Sequence, residues 1–251
     1  MANVMGMRSG NPALTADTFT RYGAASASDR MTLQGTVNKT AMSLAILLIA
    51  AAYVWNRGLA DPNIGIWIGG SLLAGFVVAL VTTFKPVWAP YTTPVYAVLE
   101  GAALGGISLG FEARYPGIVS QAVFLTFGTL GALLVAYRSG MIRATENVKL
   151  GIVAATGGIA LVYLLSFVLG FFGVSVPLIH SSGTFGILFS VFVVVVAALN
   201  LVLDFDFIEQ GANLGAPKYM EWYGAFGLLV TLVWLYLEIL RLLSKLQSRS
   251  R

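Results

Sequence analysis

The chain has no cysteine, one histidine and only 10% charged residues in a length of 251. Without cysteine there is no disulfide, no thiolate metal site and no cysteine nucleophile. A lone histidine, His180 in the loop LIHSSG, excludes histidine-based metal clusters and Ser-His-Asp chemistry at any usual geometry. The sequence also lacks a phosphate-binding P-loop, an HExxH and a GxSxG motif. One catalytic reading is left to weigh, an intramembrane aspartyl protease. That chemistry needs two facing aspartates, and the second partner here is glutamate. The expectation is therefore a protein that is not an enzyme and holds no cofactor. Its 15 basic residues are scattered over the two ends and the short loops, with no dense tract. Nucleic acid is not an expected partner, whereas the lipid bilayer and its anionic surface are.

The scarcity of charge has a positive counterpart. Soluble domains carry about 25% charged residues, whereas this chain is 57% hydrophobic and has nothing from which to build a polar shell. Seven long apolar runs fill it from about residue 40 onward: 39–55, 63–84, 94–112, 117–138, 150–173, 183–206 and 219–243. Spanning hydrocarbon takes roughly 20 helical residues, and runs this long exceed the strands of a barrel. The predicted fold is an all-α polytopic membrane bundle of seven transmembrane helices. Residues 1–38, rich in Ser, Thr, Asn and Gly, are read as a flexible cytoplasmic N-terminal tail, with 39–251 as the transmembrane domain. A short interfacial helix is compatible with MTLQGTVNKT. The first apolar run lies too deep for a cleavable signal's h-region, so the first span is expected to direct insertion. Pro86, Pro90 and Pro94 predict a rigid non-helical turn between spans two and three. Gly65 and Gly69, like Gly101 and Gly105, have the GxxxG spacing of close helix packing, within the chain or between copies.

With a cytoplasmic N-terminus, the basic residues of the first six connections obey the positive-inside rule. Seven full crossings would then place Arg241, Lys245, Arg249 and Arg251 outside. Either the rule is overridden there or the seventh segment is re-entrant.

The acidic residues inside apolar runs attract attention, because a carboxylate in hydrocarbon usually faces the bundle interior and marks an ion path, a proton site or a structural pair. Asp204 follows a long apolar run in LNLVLDFDFIEQ, with Asp206, Glu209 and Gln210 close behind. The last three share one helical face, where the helix would leave the membrane. Glu238 sits in VWLYLEILRLL, with Arg241 in reach for an intrahelical pair. Glu100, in PVYAVLEGAALGG, has no basic neighbour along its helix. The candidate gating or ion-binding residues are Asp204, Glu238, Asp206 and Glu100, with Asp204 and Glu238 as transient Ca²⁺ ligands.

Three segments together resemble the Bax-inhibitor family, the transmembrane Bax-inhibitor-motif proteins. They are SGNPAL with MTLQGTVNKTA, in the style of the bacterial branch; TTPVYAVLEGAALGGISLGFEARYPGIVSQAVFLTFGTL; and the acidic exit of span six with LYLEILRLLSKL. The resemblance implies six helices around the last, in a bacterial inner membrane. It also implies a pH-sensitive calcium leak gated by one acid on helix six and one on helix seven. The pattern carries these onto Asp204, through Asp-x-x-x-Ile ending at Ile208, and onto Glu238, through LYLE where relatives have LYLD. Glu is one methylene longer, and Asp206 is a rival for the first position. Calcium would be the permeant ion. The alternative function is a membrane-embedded regulator that binds a membrane quality-control protease or another stress-response partner through the tail. A proton-coupled transporter using Glu100, Asp204 and Glu238 ranks third, since no inverted repeat is evident. The oligomeric state is left open.

Overall fold

The computed structural model describes residues 29–173 and 181–249, so His180 and most of the predicted tail lie outside the described residues. The described chain forms seven long helices: α1 Leu33–Arg57, α2 Ile64–Phe84, α3 Ala89–Arg114, α4 Ile118–Arg138, α5 Glu146–Phe171, α6 Thr184–Asn213 and α7 Met220–Arg249. All seven are long and apolar enough to cross a membrane.

Local chemistry sets the helix ends. Helix α1 begins at Leu33, ahead of the predicted start at 39, because Thr32 caps it: in extended conformation, its hydroxyl accepts from Gly35 N. The segment MTLQGTVNKT is thus the first turns of one continuous helix rather than a separate interfacial piece. The prolines correct the sequence reading. Pro86–Trp88 is a 3₁₀ turn, but the α-helix starts at Ala89 and contains both Pro90 and Pro94. Pro90 falls in the first turn, where its missing N–H would have had no helical acceptor. Pro94 forfeits one bond near that end. Helix α4 begins after Gly117, whose φ of 84° suits glycine. The Glu112 carboxylate accepts from Gly117 N at 2.6 Å and Val119 N at 3.0 Å, on the positive end of α4. Helix α6 runs through Glu209 and Gln210 and ends at Asn213.

Helix α7 is the centre. It is the most buried of the seven, and α1, α3, α4 and α6 pack along it. The six do not share it equally: α2 packs chiefly on α3, and α5 chiefly on α6, with Tyr163 of α5 reaching α7. Helix α7 is also unbroken over 30 residues, roughly 45 Å at 1.5 Å per residue, so it makes no re-entrant turn.

The two flanks of α7 are built differently. On one side α1 and α3 run parallel in close contact. A Cβ on Gly101 would lie 2.2 Å from the Leu47 carbonyl oxygen, and one on Gly105 2.4 Å from that of Ala51. This GxxxG therefore packs within the chain. The other does not: around Gly65 and Gly69 no atom lies within 4 Å of where a Cβ would stand. On the other side, α6 lies antiparallel to α7 with α5 outside it. Residues before α1 are fastened to the approach to α7: Met31 N donates to Ala216 O and Lys218 N to Asp29 O, each at 2.7 Å. Glu221 accepts from Thr32 N and Oγ1 at 3.0 Å and pairs with Lys39 at 2.8 Å.

Candidate functional site

The helix register places the acids. Along α6 and α7, Ile208 meets Gly224, and Lys245 meets Gly186 and Ser190. Asp204, with 0% exposure, therefore stands level with about Leu228. The stretch of α7 facing it, 225–234, contains no titratable residue. Glu238, 2% exposed, stands level with about Val194, roughly 15 Å further along the bundle. The structure does not bring Asp204 and Glu238 together, and this corrects the expected carboxyl pair. The spacing explains why: the two helices are antiparallel, so positions that face each other must sum to a nearly constant value, and these two do not.

Glu238 has other company. Tyr163 of α5 donates its hydroxyl to both Glu238 oxygens, at 3.0 and 3.1 Å. Arg241 donates Nη1 to Glu238 Oε1 at 2.6 Å and to the Tyr163 hydroxyl at 2.7 Å. The expected intrahelical pair exists, and a tyrosine from a third helix completes it. Lys245, 5% exposed, lies on the same face of α7. Its Nζ donates to Gly186 O at 2.9 Å and Ser190 Oγ at 2.7 Å. Two of the basic residues that seemed to violate the positive-inside rule are thus turned into helix contacts.

Asp206 and Glu209 are more than an interfacial fringe. Asp206 pairs with the buried Lys149 of α5 at 2.7 Å and accepts from Gln210 Nε2 at 2.5 Å. Lys149 also lies 3.4 Å from Glu146. Glu209 accepts the Tyr137 hydroxyl of α4. Glu100 is buried against α2, its Oε2 lying 3.4 Å from where a Gly75 Cβ would stand. Helices α3 and α7 run in parallel register, with Thr93 bonded to Trp222 O at 3.2 Å and Ser108 to Tyr236 at 2.7 Å. Glu100 is therefore level with Asp204, on the other side of α7.

Sequence reasoning missed Lys149, Thr156, Tyr163, Asn200, Ser190 and Lys245. One signal was present. Lys149, Thr156 and Tyr163 recur every seven residues in an otherwise apolar helix, which puts them on one stripe. Among the described residues, no group of three or more His, Asp or Glu side chains is placed to hold a metal ion.

Comparison with curated proteins finds no match, and neither does comparison with solved structures. A family model described as Bax inhibitor 1 like matches residues 11–248. With seven membrane-length helices, the last of them central, and this match over nearly its whole length, the chain belongs to the Bax inhibitor 1 like family.

Proposed function

We propose that the protein is a pH-sensitive cation leak of a bacterial inner membrane, passing Ca²⁺, with Asp204 as its principal proton-sensing group. The observation that carries this reading is the complete burial of Asp204 within a membrane-spanning helix. An ionisable group there is costly unless its charge is used. Its charge state is coupled to how tightly α6 and α7 pack around it. Glu100, at the same height, is a second carboxyl of the same kind. Glu238 serves differently in this reading, held by Tyr163 and Arg241 at the far end rather than paired with Asp204. Calcium, a hard cation served by oxygen ligands, is cargo in transit.

The test is calcium flux into liposomes that hold purified protein, measured across pH. Wild type should conduct with a clear pH dependence, and Asp204→Asn should flatten it. Flux at the protein-free level at every pH would end the leak reading.

A second reading, a membrane-embedded regulator of a protease or other stress-response partner, is favoured by one observation. The clasp of residues 29–32 on Ala216, Lys218 and Glu221 links whatever binds the N-terminal segment to the start of α7. Deleting residues 1–28 should abolish partner capture under this reading and leave flux intact under the first.

A further inference from the structure

Several of the polar residues that the Asp204 reading leaves unused fall together. They line one seam, between α5, α6 and α7. At its inner end Asp206 meets Lys149, with Gln210 and Glu146 beside them. In the middle Asn200 Nδ2 donates to Thr156 Oγ1 at 2.8 Å. Further along, Tyr163, Glu238 and Arg241 form their cluster. At the outer end Lys245 stands on Gly186 O and Ser190 Oγ, with Ser248 bonded to Ser182 at 2.7 Å just beyond. From Asp206 to Gly186 along α6 is about 30 Å at ~1.5 Å per residue, the thickness of the hydrocarbon layer. Phe171 and Phe185 are exposed at the height of the outer end, so apolar surroundings reach that far.

The occupants of this seam follow a pattern. Three oxygen clusters along it that would attract a cation already have one, covalently attached: Lys149 on Asp206, Arg241 on Glu238, Lys245 on the carbonyl and hydroxyl of α6. Lys245 is the informative case. A buried ammonium normally has a carboxylate partner, yet the oxygens that receive this one are neutral, a backbone carbonyl and a serine. That is ligand chemistry for a small cation in transit.

We infer that the α5–α6–α7 seam is the cation pathway, closed at rest by the protein's own side-chain cations, with the Lys245 ammonium occupying the cation site at its outer end. This rests on the leak reading and deepens it: the path lies beside the Asp204 core rather than through it. Helix α5 is suited to opening such a path. Its main packing partner is α6, and its polar attachments can exchange for water or a passing ion.

Lys245→Met tests this in the full chain, because methionine keeps the volume and removes the charge. A fixed positive charge on a narrow path opposes a cation by several kT, so removing it should raise K⁺ and Ca²⁺ flux by about tenfold or more. A second measurement uses the absence of cysteine from the chain. Thr156→Cys, placed mid-seam, should react faster with a cationic, membrane-impermeant methanethiosulfonate when Lys245→Met is also present. Leu161→Cys, on the exposed apolar face of α5, should stay inert in both backgrounds. If wild type conducts but Lys245→Met conducts no better and the Thr156→Cys thiol stays unreactive, the seam is not the path and the leak reading survives. If neither wild type nor Lys245→Met conducts, the leak reading itself falls, and the pathway with it.

Discussion

The two flanks of α7 solve the problem of packing in lipid in opposite ways. On the α1–α3 side the tightest contact is between small residues of those two helices, whose backbones approach until a methyl group no longer fits at Gly101 or Gly105, while Thr93, Ser108 and Lys39 tie the pair to α7. On the α5–α6 side, charged and hydroxyl groups spaced along α5 by seven residues bond to α6 at two levels and to α7 at the third. In lipid there is little hydrophobic gain from putting helices together, so association depends on close fit and on polar bonds. Close fit has no substitute, since a displaced backbone has nothing comparable to meet. A polar bond does have one: water or an ion can take the place of either partner. The first flank is therefore suited to be the fixed frame and the second the part that rearranges.

This contrast can be broken by substitution. The largest effect is expected at Gly101→Val and Gly105→Val, where the new side chain would overlap the backbone of α1. Overpacking costs about 1–3 kcal/mol even where neighbours can shift, and a carbonyl 2.2 Å away cannot easily do so. Thermal unfolding in detergent should show a grossly destabilised or unassembled protein. If either variant melts like wild type, the rigid-frame assignment is wrong. Next is Lys149→Met, which strands Asp206 without its cation. Breaking a buried pair costs about 3–5 kcal/mol, and partial exposure of Asp206 places the expected loss nearer ~2 kcal/mol, with denaturation monitored at neutral pH. Loss of both charges in Lys149→Met with Asp206→Leu should recover much of it.

Smaller changes sharpen the same comparison. Tyr163→Phe removes the hydroxyl that serves Glu238 and Arg241. A hydrogen bond to a charged group is worth about 1.5–3 kcal/mol at most, and the remaining Arg241 pair keeps the loss near the lower figure. The effect on flux should exceed the effect on stability. The smallest change is expected at Gly157→Ala and Gly65→Ala, where nothing lies within 4 Å of the added carbon. Both should stay within about 0.5 kcal/mol of wild type. Gly65→Ala also probes dimerisation, since a lowered oligomer mass on light scattering would assign that GxxxG to a contact between copies.

The acids show where sequence reasoning reached and where it stopped. That Asp204, Glu238 and Glu100 would be buried followed from their apolar surroundings, and all three are. Which of them would meet did not follow, because nothing local in the sequence reports the offset between two antiparallel helices. The same limit applies to Lys245: it reads as one of several exterior charges at the end of the chain, and only the neighbouring α6 turns it inward. The prolines failed for another reason. Three so close together argue against helix in water, but a proline near a helix start sacrifices little, and surrounding helices hold the remainder in shape.

Length and hydropathy by themselves determined the class of this protein: seven helices, membrane-spanning, with acids that must point inward. That much is set by the cost of exposing backbone and charge to hydrocarbon, a cost each segment meets alone. The tertiary structure decided which faces touch, and so put Glu238 with Tyr163 and Arg241 instead of with Asp204. It also gathered Lys149, Thr156, Asn200 and Lys245 into one line. Those choices depend on the relative height and rotation of whole helices, which many small packing contacts fix together and no single stretch of sequence encodes.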